Sequence, residues 1–459
     1  MSFTSAVFAL FLPAAFILYW GLPERFSAWA LLLLNVIFYA FAGPVYLIFL
    51  VYETLLSYAA GRRIAGETEG KRSACGLFIA ALLAPLVIYK ALGFMDRGIL
   101  IPVGLSFYTF QAVGYLADIR SGRFGGSASL REHALFMTFF PQLLAGPIPR
   151  GEKLAGQFAA RAPFSYDLAA AGLRRFLWGL FKKLTVADLF AALIAGVFAH
   201  PENYRGFILV LAAVFFSFQI YCDFSAYSDM AIGTAALFGI RLEENFRRPY
   251  LADSVRDFWS RWHISLSEWF RDRVYIPLGG NRRGRARSDC NLLVTMLVSG
   301  LWHGSGPTFL LWGLLHGLLQ LIERHLPQRG KQPENRAIHG FLKGIRVIFV
   351  FYLVTAAWIF FRADSVSGAL AFFRYGFTGI THPVSYLRDG IGAYQEKKTT
   401  LVLLAVVIGT DLASEYGRPV EWFRKLPAGV RMAATVAFLL FFWFMLPDVR
   451  TSQFLYFSF

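Results

Sequence analysis

Three histidines supply the first chemistry in this chain. His303 stands in Leu301-Trp302-His303-Gly304, directly before a Gly/Ser/Gly/Pro break, and His316 follows in an apolar run beside Gly317. His263 lies in Arg261-Trp262-His263-Ile264-Ser265, one helical turn from Trp259. An imidazole can take a proton from a hydroxyl at neutral pH, which makes each a candidate general base. The plainer alternative for each is a buried structural hydrogen bond. On one continuous helix His303 and His316 would point about 220° apart. The break at 304–307 turns them into residues of two helices that can face one cavity. Metal binding is the competing use of three histidines. No H-x-x-x-H pair exists and no acid accompanies His303 at helical spacing, so no metal is expected.

Two acids interrupt another apolar run, Gln219–Gly233. Asp223 and Asp229 either build a polar floor with Tyr221, Ser225, Tyr227 and Ser228 or mark a proton or ion path. Arg271, Arg273, Arg282 and Arg283 cluster further on. Guanidinium forks suit phosphate, whether on lipid headgroups or on a nucleotide-bearing cytosolic donor. Cys75, Cys222 and Cys290 are far apart, so they read as small buried apolar residues, not as ligands or disulfides.

The elements that position these groups lie in a membrane. Of 459 residues 56% are hydrophobic and only 16% charged, against about 25% charged in soluble domains. Soluble, disordered, fibrous and disulfide-scaffold classes are excluded. The net charge is 45 − 29 = +16, and the basic residues sit in short loops between apolar runs, as where cytoplasmic loops meet anionic headgroups. No nucleic acid partner is expected. The first apolar run, Ala6–Leu22, has no basic residue before it and reads as a retained span.

Spans are expected at 5–22, 27–42, 44–60, 74–93, 176–199, 206–222, 225–240, 290–303, 307–323, 341–361, 400–414 and 430–446. The stretches 99–117 and 134–149 are apolar but broken by Pro102, Gly104, Pro141, Gly146 and Pro147. Irregular backbone at membrane depth must be buried or line a cavity. The whole reads as about eleven passes, in a single domain over 1–459 with no internal repeat. Residues 253–275 differ. They read as one amphipathic helix started by Ser254-x-x-Asp257, with an apolar stripe of Phe258, Trp262, Leu266 and Trp269 opposite Asp257, Arg261, Glu268 and Asp272. Eight charges in 23 residues place it at the interface or inside the protein.

Several segments together resemble the membrane-bound O-acyltransferase family. They are FPQLLAGPI (within 139–148, with Arg150 after it), FQIYCDFSAYSDMAIG (218–233), ENFRRPY (244–250), RDFWSRWHISLSEWFRDRVYIPLGGNR (256–282), LWHG (301–304), WGLLHG (312–317) and FLYFSF (454–459). The motif-rich core covers about 100–320, and the branch resembled is that of the bacterial alginate O-acetyltransferases. Cys222 and Ala226 depart from the commoner Phe and Gly.

The resemblance implies an all-α polytopic ring of tilted helices, with re-entrant and interfacial helices around a central tunnel. It implies His303 and His263 as catalytic, and places His316, Trp302, Trp262, Asp223, Tyr227 and Gln142 in tunnel lining or acceptor positioning. It implies Arg271, Arg273, Arg282 and Arg283 for donor phosphates. The donor it implies is cytoplasmic acetyl-CoA, with no bound cofactor. The implied acceptor is an exported exopolysaccharide, alginate first, with cellulose, peptidoglycan or another envelope polymer as alternatives. Implied partners are the bilayer of the bacterial inner membrane, a periplasmic serine-hydrolase-like acetyltransferase and the export machinery. A proton- or ion-coupled transporter is the reading from another class.

Overall fold

The computed structural model describes residues 1–66, 74–95, 101–326, 335–394, 398–417, 422–423, 425–445 and 454–455. Of the closing FLYFSF segment, residues 456–459 lie outside these, as does residue 446 of the last expected span. The described chain is helical, with no strand. It begins with α1 (Ala6–Gly21), α2 (Glu24–Ala40), α3 (Leu47–Ala65), α4 (Ala74–Met95), α5 (Leu105–Arg120) and α6 (Leu130–Thr138). Two single turns follow, α7 (Phe140–Leu143) and α8 (Gly151–Leu154), and then α9 (Tyr166–Lys182), α10 (Asp188–Ala199) and α11 (Phe207–Leu237). Next come α12 (Val255–Arg261), α13 (Ile264–Phe270), α14 (Arg285–His303), α15 (Pro307–His325) and α16 (Arg336–Arg362). The described helices end with α17 (Val366–Gly376), α18 (Pro383–Gly392), α19 (Lys398–Tyr416) and α20 (Ala428–Met445).

Among the described residues four helices are long and apolar enough to cross a membrane: Pro44–Ala65, Ala74–Met95, Phe207–Leu237 and Ala337–Arg362. Their outer faces are bare hydrocarbon; Leu77 is 73% and Phe349 63% exposed. Water would not tolerate such faces, but lipid does. α5, the expected broken stretch, is buried on nearly every side, and the irregular residues before it line a cavity, as backbone at this depth requires.

Three expectations need correction. The expected spans 206–222 and 225–240 are one continuous helix of 31 residues. Asp223, expected to interrupt it, accepts from the Lys183 ammonium at 2.6 Å, so the charge is neutralised without breaking the backbone. The expected span 176–199 is instead two helices joined by a π-helical turn, Lys183–Ala187. That wider turn lets two consecutive lysines reach inward: Lys182 to Asp229 at 2.7 Å and Lys183 to Asp188 at 2.7 Å. Finally, Cys290 is exposed, whereas Cys75 and Cys222 are buried.

Glycine sets how closely the central helices approach. A Cβ on Gly172 would lie 2.6 Å from the Gly233 carbonyl oxygen, and one on Gly179 at 2.6 Å from that of Ala226. α9 therefore lies backbone to backbone along α11, as small-residue seams allow in membranes. The α14–α15 hairpin is built the same way, with Gly300 against the Phe309 carbonyl and Gly313 against that of Met296. That hairpin brings His303 and His316 towards one another.

Candidate active site

His303 is the last residue of α14. Gly304 leaves the helix with extended backbone (φ −171°, ψ 159°), and Pro307 opens α15 where a missing N–H costs nothing. The Ser305 hydroxyl donates to the Lys90 carbonyl at 3.0 Å, tying the break to α4. His303 is 5% exposed and packs edge-on to Trp302 (4.7 Å between centroids), Trp312 (5.0 Å) and Phe361 (5.2 Å). Its opening is a pocket of about 30 Å³, bounded by His303, Trp302, Phe107 and the irregular residues 101–104. That is room enough to admit a water-sized molecule.

His263 packs against the same indole; its ring centroid is 6.1 Å from that of Trp302. Residues 253–275 are not one helix. α12 ends at Arg261 and α13 starts at Ile264, with His263 between them in the left-handed region at φ 42°, ψ 55°. Only His263 and Arg248 among the described non-glycine residues have positive φ. Such conformations cost of order 1–3 kcal/mol and persist where surrounding structure imposes them.

The imposing contacts come from the 244–250 segment. Ile264 N–H donates to the Asn245 carbonyl at 3.0 Å, and Arg247 N–H to the Arg261 carbonyl at 2.9 Å. The Asn245 Oδ1 accepts from Ser265 N–H (3.2 Å), from Ser265 Oγ (2.9 Å) and from His263 Nδ1 (3.2 Å). With Nδ1 donating, the basic nitrogen of the neutral ring is Nε2. Ser265 Oγ accepts in turn from Ile148 N–H at 3.0 Å, which fixes the Gly-Pro-Ile stretch against this corner. The helix start at Ser254 is as expected, its hydroxyl accepting from Asp257 N–H at 3.0 Å.

His316 is fully buried in an aromatic cage. Its ring is 5.0 Å from Trp259 and from Trp312 and nearly parallel to Phe258 at 6.1 Å. Neither ring nitrogen has a hydrogen-bond partner among the described residues. Trp302 and Trp312 thus string the three histidines in sequence, from His263 through His303 to His316.

The membrane-bound O-acyltransferase family profile matches residues 120–363, which contain all three histidines. The chain belongs to this family. It is 34% identical over 442 residues to the probable alginate O-acetylase AlgI of Pseudomonas aeruginosa, covering 92% of this chain and 83% of the relative. Identity to the peptidoglycan O-acetyltransferase of Helicobacter pylori is 32% over 407 residues (78% and 76%). To the teichoic acid D-alanyltransferase of Bacillus subtilis it is 27% over 285 residues (57% and 71%).

In this O-acyltransferase the remaining expected site residues separate into groups. Trp262 is buried beside His263 against Phe246 (5.0 Å) and Trp358 (4.9 Å). Gln142 donates to the Phe136 carbonyl at 3.3 Å, and Tyr227 packs between Phe3 and Phe454, both away from the histidine row. Asp223 is held by Lys183 and by the Leu455 N–H at 2.8 Å. Arg271 pairs with Asp272 at 2.9 Å and Arg273 with Asp118, while Arg282 and Arg283 are exposed.

Sequence reasoning missed Asn245, Ser265 and the Lys182–Lys183 pair. The lysines carried a signal, two adjacent cations inside an apolar run. Asn245 carried only its place in the ENFRRPY segment, which says nothing of a contact made across 18 residues of chain.

Proposed function

We propose that this enzyme O-acetylates an exported exopolysaccharide, alginate first, using acetyl-CoA from the cytoplasm, with His303 as general base. The observation that carries this reading is the pair of buried imidazoles, His303 and His263, packed against one indole, Trp302, which lines the 101–107 pocket together with His303. His303 takes the proton from an acceptor hydroxyl as its oxygen bonds to the thioester carbonyl carbon. The carbon–sulfur bond then breaks, and the proton passes from the imidazolium to the departing thiolate. His263, its Nδ1 fixed on Asn245, turns Nε2 to accept from and orient the acceptor hydroxyl or, once protonated, to donate to the developing oxyanion.

Trp302, Trp262 and His316 shape the acceptor's approach in this reading. Asp223, Tyr227 and Gln142 act one layer out, by holding α11 and the 140s in place. The protein sits in the bacterial inner membrane and passes acetyl groups to a periplasmic serine-hydrolase-like partner that completes delivery beside the export machinery. A peptidoglycan acceptor is the second reading, favoured by the Helicobacter pylori relative.

The test uses purified protein in lipid nanodiscs with radiolabelled acetyl-CoA, offering alginate oligosaccharides or peptidoglycan fragments, with and without the periplasmic partner. Label should move to alginate, and His303→Ala should slow this by about 10²–10⁴. Transfer by His303→Ala at the wild-type rate overturns the assignment of the base. Label on peptidoglycan alone selects the second acceptor, and ion flux without loss of the acetyl label selects a transporter.

A further inference from the structure

We infer that the cavity between α9, α11 and α19 binds the phosphate-bearing head of the acyl donor, an inference that rests on the proposed acyl transfer from a nucleotide thioester. The cavity holds about 850 Å³, within the range of sites that enclose cofactor-sized ligands. Its position is the first argument. Its lining includes Asn245, which is fully buried and whose Oδ1 accepts from His263 Nδ1 at 3.2 Å. A ligand against Asn245 is therefore one side chain from a proposed catalytic imidazole.

Its charges are the second argument. Arg175 is committed to Asp229 and Glu244, Lys182 to Asp229, and Arg248 to Glu415. Arg174 and Arg247, both exposed at the rim, have no carboxylate partner among the described residues. Two guanidinium groups at one mouth suit a diphosphate or phosphomonoester. The Trp422 indole, 65% exposed, lines the same cavity and offers a face on which a base can stack.

Its side of the membrane agrees. The loop between α11 and α12, which lines this cavity, carries Arg241, Arg247 and Arg248, and basic residues in a short loop are the pattern of a cytoplasmic face. Of the arginines that the sequence suggested for the same role, Arg271 and Arg273 already pair with Asp272 and Asp118, while Arg282 and Arg283 are exposed and form the comparison in the test.

The test compares Arg174→Glu/Arg247→Glu with Arg282→Glu/Arg283→Glu in nanodiscs of phosphatidylcholine alone and with added phosphatidylglycerol. Size-exclusion profiles and thermal unfolding control for folding, and the milder Arg174→Gln/Arg247→Gln pair serves if the reversal does not fold. The KM for acetyl-CoA should rise about tenfold or more for the cavity pair, in both lipids, with kcat within about threefold. The loop pair should leave KM unchanged. An unchanged KM in the cavity pair, or a rise confined to the anionic lipid, overturns the inference; the second result means that the arginines serve lipid phosphate. Equilibrium dialysis with CoA reads the site without turnover. Wild type that binds CoA through Arg174 and Arg247 but transfers no label overturns the proposed function and keeps the site. Wild type that transfers label while the cavity pair keeps its CoA affinity overturns the site alone.

Discussion

Two buried polar regions of this molecule solve opposite problems. Along α9–α11 every central charge has an opposite charge: Lys183 lies between Asp188 and Asp223, and Asp229 lies between Lys182 and Arg175. Along the histidine row, polar rings are enclosed by indoles and phenyl rings instead. There His316 has no hydrogen-bond partner among the described residues, and a small pocket opens on His303. The first arrangement holds the bundle together, because a buried charge that loses its partner is costly. The second keeps proton-accepting groups available in an enclosure of low dielectric, where electrostatic effects on a reacting group are strong.

The largest expected effects separate the two regions by observable. His303→Gln, which keeps most of the side-chain volume among Trp302, Trp312 and Phe361, should cut acetyl transfer by about 10²–10⁴ while shifting the unfolding midpoint little; an equal loss of stability would erase the distinction. Lys183→Met should do the reverse, losing about 3–5 kcal/mol because Asp188 and Asp223 then face each other without their cation. Thermal unfolding in nanodiscs reads this change, and an unchanged midpoint would show that the network is not structural.

A smaller effect is expected where the regions meet. Asn245→Ala removes the acceptor that orients His263 and should lower kcat about tenfold or more. Asn245→Asp keeps an acceptor oxygen and should recover much of that rate. It should also move the acidic limb of the pH–rate profile upward, because a carboxylate beside an imidazole favours its protonated form. A purely packing role for Asn245 would leave that profile in place. The mildest change is His316→Phe. It loses no hydrogen bond to a described residue and should cost less than about 1.5 kcal/mol in stability. If His316 positions the acceptor, the acceptor KM rises while the donor KM does not.

Much of this was legible in the residues themselves. A charged fraction of 16% admits only a membrane protein, and Gly304 with Pro307 announces the break that presents His303. The Ser254 cap is likewise local chemistry. Of the stripe Phe258, Trp262, Leu266 and Trp269, the first three are buried and Trp269 is partly so, yet the continuous helix drawn through it is wrong. Periodicity reports which side of a segment is apolar and is blind to a pairing such as Asn245 with Ile264 that bends the chain between two apolar residues.

What the sequence by itself determined is the solvent this protein folds in, most helix ends and the identity of the three histidines, because composition, capping and glycine or proline breaks act within a few residues. The tertiary structure decided the rest. It kept α11 whole by bringing Lys183 to Asp223, held His263 in a left-handed conformation through Asn245, and left Arg174 and Arg247 facing a cavity while Arg273 was consumed by Asp118. Each of these outcomes depends on a partner supplied by a distant part of the chain, and the strength of a charge or hydrogen bond in a low-dielectric interior depends on which partner arrives.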